Sequence, residues 1–301
     1  MKIGWIGIGN MGGRMAKRLM DAGYELLLYD IEEMQMSVLR QSGAEVMESP
    51  KHLAQQADYI FSTIPNSDSL RAITYGERGI LKGMQPGTIV ADFSTVDADT
   101  SCETAAAIEG ASGRCLRCPV SGSTAQAEKG SLVMMVSGDA STYQEALPIL
   151  KQLCEKSYYM GSGEQARHMK LVVNLMIGAY FQSYAEALVL GERAGLDWHM
   201  MIDILAQSSV SSVNMRNKAE NFKKRDFSPM FTVRNQLKDI NLILDLARKL
   251  NVSAPVTSVA AQYYHAMVAT GRGELDYSSV LLVNEENNGI KWDDADEALR
   301  I

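Results

Sequence analysis

Lys2-Ile3-Gly4-Trp5-Ile6-Gly7-Ile8-Gly9-Asn10-Met11-Gly12 is the stretch on which the fold turns. An apolar run of strand length ends in a Gly-x-Gly-x-x-Gly string, and residues 11–22 follow with an amphipathic helical pattern. Strand, tight turn and helix in that order give each glycine a task. Gly7 permits the turn, Gly9 lets a ligand approach the backbone, and Gly12 allows the helix to pack close on the strand. The free N–H groups of such a helix start, with Asn10 and Met11 in the loop, suit a pyrophosphate. A dinucleotide is therefore the first ligand expected.

A second sign stands further on. Asp30 ends the run Glu25-Leu26-Leu27-Leu28-Tyr29, 18 residues after Gly12. A carboxylate at the end of a second strand accepts hydrogen bonds from the adenosine ribose and repels a 2′-phosphate. Ile31, Glu32 and Glu33 follow it, with no arginine to receive that phosphate. NAD is accordingly favoured over NADP.

Working outward, strand-like runs recur at 25–29, 59–63, 88–92, 115–118 and 132–136, with helical patterns such as 98–108 between most of them. This alternation implies βαβ units and a mostly parallel sheet covered on both faces. From Gly161 onward the character changes. Residues 164–194 form one long helical pattern without proline, and further helical stretches follow at 198–207, 213–223, 236–249 and 255–270. The expected architecture is an α/β Rossmann-type N-terminal domain over 1–161. A connecting helix over 162–194 joins it to an all-α C-terminal domain over 195–301, expected to carry substrate and oligomer contacts. Residues 284–301, polar and acidic around Trp292, read as a loosely packed terminus.

Composition narrows the function classes. The 301 residues are 46% hydrophobic and 22% charged, as in ordinary globular proteins, and the formal net charge is −7. That sign argues against nucleic acid and anionic lipid surfaces. No apolar run reaches the roughly 20 residues of a membrane span. Residues 1–8 read as a strand rather than a signal peptide, so a cytoplasmic location is expected. Cys102, Cys115, Cys118 and Cys154 form no secreted disulfide framework. The Cys115-Leu-Arg-Cys118 spacing falls on a strand rather than a helix start, and the four histidines are scattered. Buried free thiols are expected there, and no metal.

The chemistry-bearing residues stand on the long helix. In Met169-Lys170-Leu171-Val172-Val173-Asn174-Leu175-Met176-Ile177-Gly178 the strongly polar residues are Lys170 and Asn174, at i and i+4 on one helix face. An apolar setting and a cationic nicotinamide nearby would both favour a neutral amine, the form an acid/base catalyst needs. The plainer alternative is a lysine that snorkels to solvent. Upstream, Pro119-Val120-Ser121-Gly122-Ser123 follows a strand, and its hydroxyl and amides could hold a carboxylate or merely form a turn.

Taken together, these segments resemble the β-hydroxyacid dehydrogenase family, which includes 3-hydroxyisobutyrate dehydrogenase, tartronate semialdehyde reductase and the glyoxylate/succinic semialdehyde reductases. Ile64-Pro65-Asn66, Asp92-Phe93-Ser94-Thr95, Gly161-Ser162-Gly163 and Leu237-Lys238-Asp239 continue the likeness in the family's order. The resemblance implies Lys170 as catalytic acid/base. It implies Asn174, Ser121 and Gly122, with Ser123 beside them, as substrate-binding residues. Ile64, Pro65, Thr95 and Lys238 would bind the cofactor. A small carboxylate-bearing substrate and a homodimer or homotetramer are also implied. The expected activity is NAD-dependent interconversion of a short β-hydroxy acid and its semialdehyde or keto acid. Ser123 and the Met-Lys-Leu-Val-Val-Asn wording resemble the glyoxylate/succinic semialdehyde reductase branch, which tends to use NADPH. Two alternatives remain: an imine reductase, a group that usually carries Asp or Tyr at the Lys170 position, and a non-catalytic cofactor-binding module.

Overall fold

A computed structural model describes residues 1–291. The chain divides into two compact units, from Met1 to Val173 and from Asn174 onward.

The first unit holds a nine-stranded sheet: β1 Lys2–Ile6, β2 Glu25–Tyr29, β3 Glu45–Val46, β4 Tyr59–Ser62, β5 Ile89–Asp92, β6 Arg114–Arg117, β7 Val120–Ser121, β8 Leu132–Gly138 and β9 Cys154–Tyr159. Its order is β3-β2-β1-β4-β5-β6-β8-β7, with β9 beside β8. The pairs from β3 through β6 are parallel, whereas β8 runs antiparallel to β6 and β7. The helices of this unit are α1 Gly12–Asp21, α2 Ser37–Gln41, α3 Pro50–Ala54, α4 Ser67–Tyr75, α5 Ala98–Gly110, α6 Thr124–Lys129 and α7 Ala140–Leu150.

Strand alternation explains why the sheet is doubly covered. Ile3, Trp5, Leu26, Leu28, Phe61 and Ala91 enter one core, while Ile6, Leu27, Ile60 and Val90 enter another. Successive strand residues point to opposite faces, so both faces of these central strands must be buried. Their near-continuous apolar wording is the consequence. Trp5 shows the limit of that rule: its indole N–H donates to Thr63 Oγ1 at 2.6 Å, and that hydroxyl donates to the Gly7 carbonyl at 3.1 Å. A buried ring N–H needs such a partner.

β3, β7 and β9 were not expected from sequence. The first two are two residues long, and β9 carries Glu155, Lys156, Tyr158 and Tyr159 on an edge, too polar to read as a core strand. The helices met the pattern closely, α1 and α5 within one or two residues at their ends.

The long helix, α8, spans Gln165–Arg193 and crosses from the first unit into the second. The second unit adds α9 Trp198–Gln207, α10 Val213–Lys223, α11 Val233–Lys249, α12 Pro255–Ala269 and α13 Val280–Asn287. Phe181, Tyr184, Leu188, Phe222, Ile240, Tyr264 and Leu281 belong to its one core. Gly178 is buried beside it: a Cβ there would lie 3.0 Å from Gln236 Nε2 and 3.2 Å from Ile240 Cδ1, so those side chains would have to give way.

The expectation of a loose terminus from residue 284 is corrected in part. Asn284 and Glu285 are buried in α13, and Glu285 accepts two hydrogen bonds from Arg225, at 2.8 and 2.6 Å. The signal was missed because the partner lies 60 residues away. Trp292 and the acidic residues after it lie outside the described residues.

Candidate active site

The carboxyl ends of β1, β2, β4 and β5 gather most of the expected cofactor residues. β1 lies between β2 and β4, the point at which chain order reverses across the sheet. Open α/β sheets bind ligands outside the strand ends at such a switch point. Gly7 follows β1 with φ +88°, and a Cβ there would meet the Thr63 carbonyl oxygen at 2.2 Å. A Cβ on Gly12 would stand 2.0 Å from the Gly7 carbonyl oxygen and 2.4 Å from Thr63 Oγ1. At Gly9 nothing lies within 4 Å of the Cβ position, so the loop is open where backbone must approach a ligand. No side chain caps the start of α1, which begins immediately beyond exposed Asn10 and half-buried Met11. Uncapped N–H groups beside an open loop fit a pyrophosphate.

Asp30 is tied into the same loop. Its Oδ2 accepts from the Ile8 N–H at 2.6 Å and its Oδ1 from the Glu32 N–H at 2.9 Å. Each oxygen keeps acceptor capacity beyond that one bond. The carboxylate is thus fixed in direction, with Glu32 and Glu33 exposed next to it. The residues present fit a dinucleotide.

At β4 and β5 a buried polar network stands where sequence reading placed only Ile64, Pro65 and Thr95. Ser94 Oγ accepts from the Ile64 N–H at 2.9 Å and donates to Asp92 Oδ1 at 2.7 Å. The Arg167 guanidinium, on the first turns of α8, pairs with the other Asp92 oxygen, and its Nε donates to Ser101 Oγ at 3.1 Å. Thr95 is half-buried beside Ser94, and Pro65 is exposed. In sequence, Asp92 and Ser94 stand out only within the Asp92-Phe93-Ser94-Thr95 segment of the family likeness. Arg167 carried no sequence signal beyond being a charged residue near a helix start, for its partner lies 75 residues away.

Lys170 stands three residues beyond Arg167 and is half-buried. Its apolar neighbours are not all inside: Met169, Val172 and Met176 are exposed, while Leu171 and Asn174 are buried. The apolar wording of this segment therefore reflects an uncovered helix face as well as core.

The strand-to-loop stretch at β7 carries Ser121, half-buried, and Gly122, with φ +145°. That φ favours glycine, and a Cβ there would also lie 2.7 Å from Leu132 Cδ2, which would have to shift. Ser123 is engaged as the N-cap of α6, accepting from the Gln126 N–H while the Gln126 side chain accepts from the Ser123 N–H at 2.9 Å. That capping box occupies the hydroxyl locally.

In the second unit, Asn174 Nδ2 donates to Asp239 Oδ2 at 2.6 Å, and Lys238 Nζ lies 3.0 Å from Asp239 Oδ1. A carboxylate can only accept here, which fixes the amide orientation. The Asn174 Oδ1 is left buried without a hydrogen-bond partner, as is Gln236 Nε2. Asp239 was quoted from sequence only within a motif; its grip on Asn174 needed the packing of α11 on α8.

Residues 2–161 match the NAD binding domain of 6-phosphogluconate dehydrogenase, and residues 163–283 match the NAD-binding domain of NADP-dependent 3-hydroxyisobutyrate dehydrogenase. The chain belongs to the β-hydroxyacid dehydrogenase family. The dehydrogenase is 31% identical to glyoxylate/succinic semialdehyde reductase 1 of Arabidopsis thaliana, over 93% of this chain and 97% of that one. It is 32% identical to 2-(hydroxymethyl)glutarate dehydrogenase of Eubacterium barkeri, over 96% and 97%. A solved 3-hydroxyisobutyrate dehydrogenase from Salmonella typhimurium shares the fold at a TM-score of 0.88, with 25% identity, over 94% of this chain and 99% of that one. The chain is thus an NAD(P)-dependent oxidoreductase of this family, as the Gly-rich loop, Lys170 and the helical second half had implied. Among the described residues no helix is long and apolar enough to cross a membrane, and no group of three or more His, Cys, Asp or Glu is gathered as for a metal ion.

Proposed function

We propose that the protein interconverts a short β-hydroxy acid and its semialdehyde or keto acid with NAD, with Lys170 as acid/base. The observation that carries the NAD preference is the Asp30 carboxylate, fixed by the Ile8 and Glu32 amides with two acidic residues behind it. A 2′-phosphate brought to that position would meet negative charge. Gly7, Gly9, Asn10, Met11 and Gly12 would hold the pyrophosphate, and Ile64, Pro65, Thr95 and Lys238 would bind further along the cofactor. When bound, the cofactor would supply hydride transfer to or from the carbinol carbon.

The protein's own part is to hold the substrate and move a proton. Lys170 Nζ takes the hydroxyl proton in oxidation and gives it back in reduction. Ser121 and Gly122, with Ser123 beside them, would bind the carboxylate and so orient the carbon. On Asn174, one Nδ2 proton is given to Asp239 and Oδ1 is left over as an acceptor, suited to the proton of a substrate hydroxyl.

Lys170→Met tests the assignment. Turnover is expected to fall by about 10³-fold or more, while NADH binding, read by fluorescence, stays within about twofold. Turnover at the wild-type level sinks the reading. A second reading, glyoxylate or succinic semialdehyde reduction with NADPH, is supported for the substrates by the name of the Arabidopsis relative and for the cofactor by the NADP-dependent family that residues 163–283 match. Assaying 3-hydroxyisobutyrate, serine, glycerate, tartronate semialdehyde, succinic semialdehyde, glyoxylate and a cyclic imine with both cofactors decides between these readings. We further propose a cytoplasmic homo-oligomer. The exposed apolar side chains Leu196, Met200, Ile204, Val210 and Val213 of the second unit support self-association. Light scattering that gives a monomer removes that part.

A further inference from the structure

We infer that Arg167 is a positioning residue for the proposed reaction, holding the turn of α8 that carries Lys170 in register with the carboxyl ends of β4 and β5. The inference rests on the reading of Lys170 above. Arg167 is 2% and Asp92 5% exposed at the side chain. The guanidinium donates in three directions: to Asp92 Oδ2, to the Ser94 carbonyl, and to Ser101 Oγ on α5 at 3.1 Å. Asp92 is held from its other side as well, since its Oδ1 accepts from the hydroxyls of Ser62 and Ser94. The chain of bonds then reaches the main chain at the Ile64 N–H, 2.9 Å from Ser94 Oγ. One planar group therefore links the segment carrying Ile64, the segment carrying Thr95 and the first turns of α8.

Merely fastening α8 to the sheet would not need this. A buried ion pair is seldom worth more than well-packed apolar side chains. The helix start also has a second fastening, through Arg117 Nε to Glu164 Oε1 at 2.7 Å and the Ala166 N–H to Ser137 Oγ at 3.3 Å. What a guanidinium adds is direction. Its fork fixes rotation as well as distance, which neither a point charge nor an apolar contact does. Arg167 and Lys170 are i and i+3 on α8, neighbours on one face, so rotation about the helix axis at Arg167 carries the Lys170 amine with it. A misplacement of about 1 Å in a reacting group can cost about 10²-fold in rate.

Arg167→Lys keeps the charge beside Asp92 and gives up the fork. The expected result is a fall in kcat of about 10- to 100-fold with the KM for NAD within about twofold, together with a larger primary deuterium isotope effect. A readout apart from turnover is competitive acetylation with NADH bound, read by peptide mass spectrometry. Acetylation of Lys170 should change several-fold against the wild type, while exposed Lys82 stays as it was. A merely structural Arg167 would lower the melting temperature and leave kcat, isotope effect and Lys170 acetylation alone, and that outcome overturns the proposal. Should Arg167→Lys fail to fold, Ser101→Ala removes the Nε partner alone. It is expected to change Lys170 acetylation and lower kcat by about threefold or more, and wild-type values for both overturn the proposal equally. Failure of the underlying reading looks different: Lys170→Met would then turn over normally, whatever Arg167 does.

Discussion

Asp30 and Asp92 are both aspartates at the end of a parallel strand, yet the structure surrounds them differently. Asp30 is half-buried, and its oxygens hold two backbone amides with capacity to spare. Asp92 is buried, and its oxygens accept from two hydroxyls and a guanidinium, all of them protein groups. The first is available to a ligand, and the second is committed to the protein. Replacing Asp30 with alanine is therefore expected to raise the KM for NAD about tenfold and to raise the kcat/KM ratio of NADP over NAD, with kcat itself little moved. Steady-state assays with both cofactors check this, and an unchanged ratio removes Asp30 from the specificity argument. The position of Asp30 at the end of β2 was legible from local sequence. The roles of Asp92 and Arg167 were not, because a salt bridge across 75 residues leaves no local pattern.

At the scale of elements, α8 and α13 show how composition can mislead in both directions. The segment 169–178 is apolar and reads as core, yet Met169, Val172 and Met176 stand exposed on α8. Residues 284–287 are polar and read as a loose end, yet they finish α13, with Glu285 3% exposed against Arg225. Removing one member of a buried pair leaves an uncompensated charge, which costs about 3–5 kcal/mol. Arg225→Met should therefore destabilise the protein by that order in urea unfolding. The double variant with Glu285→Leu should recover much of it, because no buried charge is then left alone. A smaller element tells the same story. Ser123 caps α6, so Ser123→Ala is expected to cost about 1 kcal/mol of stability whatever it does to substrate binding. Activity measured well below the melting transition separates the two effects.

The cysteines carry a prediction about the whole molecule. Burial pushes the Cys115 thiol from its ordinary 9.0 up to about 12, and raises Cys118 and Cys154 as well, the latter to about 11. Cys102 is exposed. Iodoacetamide at pH 8 should therefore modify native protein at Cys102, and all four thiols only after unfolding. The same shifts set the sign of an alkaline effect. Above about pH 9 the unfolded chain releases these protons while the folded one retains them, so the unfolded state binds fewer and stability falls as pH rises toward about 12. Urea midpoints measured from pH 8 to pH 10 should decline, and Cys115→Ala should decline less steeply.

Local wording by itself determined the doubly wound first half, the helical second half and the dinucleotide loop. Gly7 to Gly12, the period of two along the strands and the proline-free run through α8 act over a few residues, and short-range sterics and burial leave them few alternatives. The short and edge strands β3, β7 and β9, the anchoring of α13, the hold of Asp239 on Asn174 and the Asp92–Arg167 network were decided only by the tertiary structure. Each depends on residues far apart in the chain meeting where water is excluded, and desolvation there makes a polar group's partner matter more than its type.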